Sequence, residues 1–326
     1  MPSGLKVRYP ASKLGAFLMT IYLSIFDRRS NRMSSSMEAL VAKNVRRALG
    51  MFGDIIVSPH LPTTQITGTV ITGGESRFQD NLIMRALMRG RYKFFNGQSG
   101  YVRNILNADM EGVRPSNLLN ADILEYLIRN RKVMIDFSQE GYITLGTLTK
   151  KMGLLGYDEA DVATACKQLV GWGLVEPEGL MSVEGNEAVL TQTLGESDAL
   201  RVHASGFVHM RQFLANPEYL IGITPAMNFT SRSIAETMGN HWRNDDHLHD
   251  LKWTSKRDIL SNMRAYFVAE YERRCKRHAF YEELGFGGKL VVESVMEAER
   301  TFAPSDTEGR SGKPVSRFRK TPTKSP

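Results

Sequence analysis

Between Asn117 and Ala204 the chain runs through an order of short elements that restricts its fold more tightly than any other stretch. Asn117–Arg131 places Leu118, Ile123, Leu124, Leu127 and Ile128 on one face at helical spacing, which predicts a helix. Val133–Ile143 reads as a short strand. Thr144–Met152 reads as a small helix with Leu145, Leu148 and Met152 inward, and Gly153–Tyr157 as a turn. Asp158–Trp172 is the next expected helix. Asp158 suits its N-cap, Glu159 and Asp161 suit its positive end, and Val162, Cys166, Leu169 and Val170 line its buried side. Gly173 ends it. Leu174–Glu176 then begins a strand, a Pro/Gly/Ser loop follows, and Leu200–Ala204 is expected to return as a second strand.

Helix, short strand, helix–turn–helix and strand pair, in that order, predict a winged helix. The rest of the chain reads as mainly α. Ala11–Phe26 is expected to be an apolar helix buried on most sides, with a polar link after it. Ser36 is the expected cap of a helix over Met37–Phe52, and Gln79–Gly90 reads as another. Thr63–Ser76 is β-branched and reads as a strand or extended loop. Further helices are expected over Ser205–Ala215, about 228–242 and Ser255–Glu283. Gly285, Gly287 and Gly288 predict a break before a last helix over Leu290–Phe302.

Charge is unevenly placed. The net charge is +7 over 326 residues. Residues 303–326 hold six basic and two acidic residues, so the body is close to neutral. This tail is rich in Pro, Ser, Thr, Lys and Arg and reads as disordered. Two cysteines, Cys166 and Cys275, exclude a disulfide scaffold and a multi-cysteine zinc site. The longest uncharged apolar run, Leu14–Phe26, is shorter than the roughly 20 residues a bilayer span needs. The expectation is a cytoplasmic protein without membrane contact.

Motifs for self-sufficient catalysis are missing from the sequence. A P-loop needs G-x-x-x-x-G-K-[ST], so that backbone N–H groups and a lysine wrap the phosphates, and none occurs. His241–Asp250 (HWRNDDHLHD) gathers three His and three Asp, but its spacing matches no metallohydrolase motif and reads as a solvated loop. There is no G-x-S-x-G elbow, and neither cysteine has a recognisable histidine partner in sequence. No catalytic residue, metal or cofactor bound by this chain alone is expected.

Nucleic acid has two candidate sites and one obstacle. Asn81–Ala108 carries Arg85, Arg89, Arg91, Lys93 and Arg103 without an acid, interleaved with Tyr92, Phe94, Phe95 and Tyr101. The tail adds Arg317, Arg319 and Lys320. The obstacle is the expected reading helix, whose three acids Asp158, Glu159 and Asp161 face one lysine, Lys167; only Lys150 and Lys151 precede it as positive charges. Any nucleic-acid contact is expected to be non-specific.

Lys43–Leu49 (KNVRRAL), followed by Met51–Phe52 and Ser58, resembles the lid motif G-N-x-R-x-A-L of AAA+ and STAND-type P-loop ATPases, with Lys43 in place of the glycine. Ala86–Leu87–Met88, Gly90–Arg91–Tyr92 and Asn104–Ile105–Leu106 are similar to the segments that come after the lid motif in that family. So are the winged-helix order and then Arg201–Val202 and Gly206 before a helix. The resemblance spans roughly residues 14–280. It implies the C-terminal half of such an ATPase: a helical lid-like region at 1–112, a winged-helix domain at 113–204 and a C-terminal helical region at 205–302, to which composition adds the disordered basic tail at 303–326. It also implies that Arg46, with Arg47 beside it, senses nucleotide phosphate from the lid. ATP would then come through a partner or an ATPase core that these residues do not supply. The expected function is a non-catalytic regulatory or assembly portion of a P-loop ATPase system, whose partner is a protein or that core. The rival is a winged-helix DNA-binding regulator.

Overall fold

A computed structural model describes residues 11–26, 31–42, 44–61, 78–95, 97, 101–133, 140–179, 181–184, 187–190, 194–243 and 251–302. The basic tail, Thr63–Ser76 and residues 244–250 of the His/Asp run lie outside the described residues. The protein is mainly helical, and its buried apolar side chains form one cluster running from Ile21 to Ala298.

The N-terminal part is built from α1 (Ala11–Phe26), α2 (Asn31–Val41), α3 (Val45–Ile56) and α4 (Asp80–Arg89). Contrary to expectation, α1 is not buried on most sides: Ile21 and Ile25 face the core while Met19 and Tyr22 are more than half exposed. The helix expected over Met37–Phe52 is two helices. Ala42 takes a left-handed φ of 50°, which breaks the run, and the Asn44 side chain accepts from the Arg47 N–H to start α3. Ser36 does not start a helix; it lies within α2, and its hydroxyl bonds Gln212.

Next come α5 (Leu119–Asn130), β1 (Ile143–Thr144), α6 (Leu145–Leu154) and α7 (Glu159–Gly171), followed by β2 (Val175–Pro177), β3 (Met181–Glu184), β4 (Glu187–Leu190) and β5 (Ala199–Val202). The Thr144 side chain caps α6, accepting from Thr147 N, and Asp158 caps α7, accepting from Ala160 N. Gly173 at φ 69° ends the α7 turn. The sheet order is β1–β5–β2, all antiparallel, with Ile143 opposite Leu200 and Val175 opposite Val202. A separate hairpin, β3–β4, occupies the stretch that reads as a loop in sequence. The returning strand stops at Val202, because the His203 ring accepts from the Ser205 N–H and starts a helix.

The C-terminal part contains α8 (Ala204–Val208), a π-helical turn at His209–Phe213, and α9 (Pro217–Ile223) with a 3₁₀ turn at Thr224–Ala226. It continues with α10 (Arg232–Arg243), α11 (Trp253–Arg277), α12 (Tyr281–Leu284) and α13 (Phe286–Thr301). The expected glycine break holds only at Gly285. Gly287 and Gly288 lie inside α13 and are buried, because a Cβ at Gly287 would run into the carbonyl oxygen of Ala121 in α5. These glycines let two helix backbones touch.

Candidate functional site

Val102, Asn104, Ile105, Leu106 and Ala108 are buried, with Arg103 and Asn107 half-buried between them, yet this segment belongs to no helix or strand. Buried backbone polar groups need partners, and here side chains from distant elements supply them. Arg103 N donates to His209 Nε2 (2.8 Å), and Ile105 N donates to the Tyr219 hydroxyl (3.2 Å), which itself donates to Arg103 O (2.8 Å). Asn117 Nδ2 donates to Leu106 O (2.6 Å) and to Asn228 O (3.0 Å), while its Oδ1 accepts from Tyr266. Asn228 closes the ring, donating from its backbone N to Asn107 Oδ1 (2.8 Å) and from Nδ2 to Ala108 O (3.2 Å). His209 Nδ1 lies 2.7 Å from Ser205 O, so this nitrogen carries the proton and Nε2 is the acceptor. Burial pushes the His209 pKa down to about 4, which keeps that neutral tautomer.

A second polar centre lies behind this segment. Asp122 of α5 is buried, and its carboxylate accepts from Tyr157 (2.7 Å), Tyr281 (2.8 Å) and Gly288 N (2.7 Å). Burial raises the Asp122 pKa against the opposing pull of those three donors and of Arg274. The Arg274 guanidinium lies 4.0 Å from the Tyr157 ring centroid, pairs with Glu270 (3.1 Å) and donates to Leu155 O (3.3 Å). Ser116 also donates to Glu270 (3.0 Å). One carboxylate thus gathers α5, the α6–α7 turn, α12 and α13. None of these residues stood out in the sequence, because each partner is remote and Asp122 looks like an ordinary first-turn acid.

The expected nucleic-acid patch separates into two halves. Arg85 and Arg89 do not face solvent, which corrects their expected role. Arg85 is 2% exposed and pairs with Glu218 (3.1 Å), which also binds Lys256 (2.6 Å). Arg89 lies 5.1 Å over the Trp242 ring. Neither can reach a phosphate without unfolding α4 from α9 and α10. Arg91 is exposed and Lys93 half-exposed at the end of α4, with Lys93 5.4 Å from the Phe94 ring. Lys150 and Lys151 are exposed on α6. Arg317, Arg319 and Lys320 fall outside the described residues.

Asp161, on the leading turn of α7, is engaged internally. Its carboxylate accepts from Val113 N (3.0 Å) and Arg114 N (2.8 Å). Residues 107–116 therefore lie alongside Thr164 and Gln168 of α7.

Arg46 is exposed on α3, and Arg47 is half-buried with its guanidinium 5.7 Å from the Tyr101 ring. On the same helix Val45 is 71% and Leu49 67% exposed. They border an open, largely apolar groove of about 720 Å³ lined also by Tyr22, Met37, Val41 and Phe52. Among the described residues, no group of three or more His, Cys, Asp or Glu side chains is placed to hold a metal, and no helix is long and apolar enough to cross a membrane. Burial pushes the Cys166 thiol up to about 12, which makes it inert. Comparison with family models, curated proteins and solved structures finds no match to this chain.

Proposed function

We propose that this chain is a non-catalytic regulatory or assembly portion of a P-loop ATPase system, and that α1–α3 is the face that meets the ATPase core. The observation that carries this reading is the exposed apolar edge of α3, Val45 and Leu49, beside Arg46 and above the groove. A large apolar patch rimmed by polar residues is the usual mark of a protein-binding surface. On this reading the α5–α7 unit with its β1–β5–β2 sheet is a winged helix used for packing. Its acidic leading turn supports that role, since Asp161 binds residues 113–114. ATP enters through the partner, and Arg46 reaches its phosphates.

The test is a photo-crosslinking amino acid at Leu49, introduced in the native cell, with the crosslinked peptides identified by mass spectrometry. The reading expects peptides from a P-loop ATPase core. Crosslinks to a second copy of this chain would replace it with self-association, and crosslinks to other proteins alone would overturn it. With the core added to purified chain, ATP turnover is expected to fall more for Arg46→Ala than for Arg47→Ala.

The DNA-binding regulator is the second reading. It is favoured by Lys150, Lys151 and Lys167, which are exposed on the consecutive helices α6 and α7. Nanomolar binding to one defined duplex at physiological salt, lost in Lys167→Ala, would select it. Weak binding indifferent to sequence, with a steep salt slope, is what the assembly reading expects.

A further inference from the structure

A second cleft, separate from the α1–α3 groove, opens where α11 ends. It has a volume of about 320 Å³ and is lined by Arg114, Gly156, Thr230, Arg273, Arg274, Arg277 and His278, with Val113 and Pro115 completing it. No acidic residue lines it. Glu270 is buried and pairs with both Arg273 and Arg274, and the Asp161 carboxylate accepts from the backbone N–H groups of Val113 and Arg114. Arg277 has no ion-pair partner among the described residues, and the Arg114 side chain makes only a neutral bond, to Gly156 O (3.2 Å). Four guanidinium groups from two separate segments therefore converge; Arg273 and Arg274 share Glu270, while the side chains of Arg114 and Arg277 have no carboxylate partner among the described residues.

Cations at the last turn of a helix are common, because they complement its dipole. That explains Arg274 and Arg277 but not Arg114, which arrives from the segment before α5. Nor does it explain His278. Its ring is packed against Gly156, which has φ 81°, in the space that a Cβ there would fill. Partial burial and the charges of Arg274, Arg114 and Arg277 hold the His278 pKa below the usual histidine range. These arginines are held close together at the cost of mutual repulsion, with a neutral imidazole among them.

We propose that this cleft binds the phosphate groups of a small phosphorylated ligand, a phosphomonoester or a diphosphate. Guanidinium forks match phosphate oxygens bidentately, which a lysine ammonium does not. The volume is at the lower end of small-molecule clefts, at roughly 300–1,000 Å³, and suits a compact anion with a small attached group. The two guanidinium groups without a carboxylate partner, Arg114 and Arg277, suit a ligand of at least two negative charges, more than a single backbone phosphodiester carries. The cleft is concave, and no aromatic side chain lines it for base stacking, so a nucleic-acid strand fits less well. The bound ligand bridges residues 113–115, the α6–α7 turn and the end of α11, and returns His278 toward its protonated form.

Titration of the full chain with inorganic pyrophosphate by calorimetry, with inorganic phosphate and random duplex DNA as parallel probes, tests the assignment. Saturable one-to-one binding of pyrophosphate is expected, at least tenfold weaker in Arg277→Gln and in Arg114→Gln and unchanged in Lys289→Gln, an exposed cation away from the cleft. Arg114 and Arg277 are exposed, so these variants keep the wild-type circular dichroism spectrum and melting temperature. The His278 ring resonances should titrate at higher pH with pyrophosphate bound. No saturable binding at millimolar pyrophosphate would overturn the proposal. So would affinity unchanged in the Arg114→Gln/Arg277→Gln double variant, or duplex DNA displacing pyrophosphate from the cleft. The α1–α3 reading is untouched by any of these outcomes, because Leu49 and Arg46 do not line this cleft.

Discussion

The seam around Asp122 and the α1–α3 end are both helical, but they are finished differently. At the seam, polar side chains are buried and each has named partners: Asp122 with two tyrosines and Gly288, Asn117 with Leu106 and Asn228, Tyr219 with residues 103 and 105. At the α1–α3 end, apolar side chains meet solvent at Met19, Tyr22, Val45 and Leu49. Buried hydrogen bonds are directional, so the seam specifies one arrangement of its helices. An exposed apolar edge specifies nothing until a partner covers it.

The largest effect expected is at the seam. Asp122→Ala leaves two buried hydroxyls and one buried N–H without an acceptor and is expected to cost about 4 kcal/mol in chemical denaturation. Asp122→Asn restores an acceptor for Gly288 N and should cost less than Asp122→Ala; equal losses would mean that the carboxylate does not organise the site. Gly287→Ala forces α13 away from Ala121 and is expected to cost about 3 kcal/mol. A fully stable Gly287→Ala would contradict the close approach.

His209 makes the stability depend on pH. Its folded pKa of about 4 lies below the unfolded value of roughly 6.5, so between those values the unfolded chain binds more protons. The stability it contributes is complete above the unfolded pKa. It is lost as pH falls toward the folded one, by about 3 kcal/mol in all. His209→Gln should remove this part of the acid sensitivity, and an unchanged profile would place it elsewhere. Leu49→Asp sits at the far end of the comparison. It is expected to change stability by less than about 0.5 kcal/mol, as an exposed surface substitution, while weakening capture of the proposed ATPase core. A large loss of stability would show that this edge belongs to the core.

Some of this was legible in the sequence, and the pattern of what was not is physical. Local signals worked where one element decides its own ends. Asp158 and Gly173 bracket α7, and Asp80–Arg89 falls inside the expected Gln79–Gly90. They failed where a remote partner decides. Arg85 and Arg89 look like surface charges within a basic stretch, yet their fate is set by Glu218 and Trp242, more than 130 residues away. Gly287 and Gly288 read as a helix break because what they touch in α5, the Ala121 backbone and the Asp122 side chain, is invisible in the local pattern. Ser36 fits a cap by type, but Gln212 claims its hydroxyl. The exposed basic residues Arg91, Lys150 and Lys151 needed no such partner and sit where an ordinary surface reading places them.

Native-state hydrogen exchange on the full chain measures the contrast between the two regions directly. Amides of 105–106, α5, α11 and α13 are expected to exchange only through global unfolding, while those of α2 and α3 exchange through smaller openings and, on the proposed reading, gain protection when an ATPase core is added. Equal protection of both regions in the isolated chain, or α2 and α3 outlasting α5, would contradict the account.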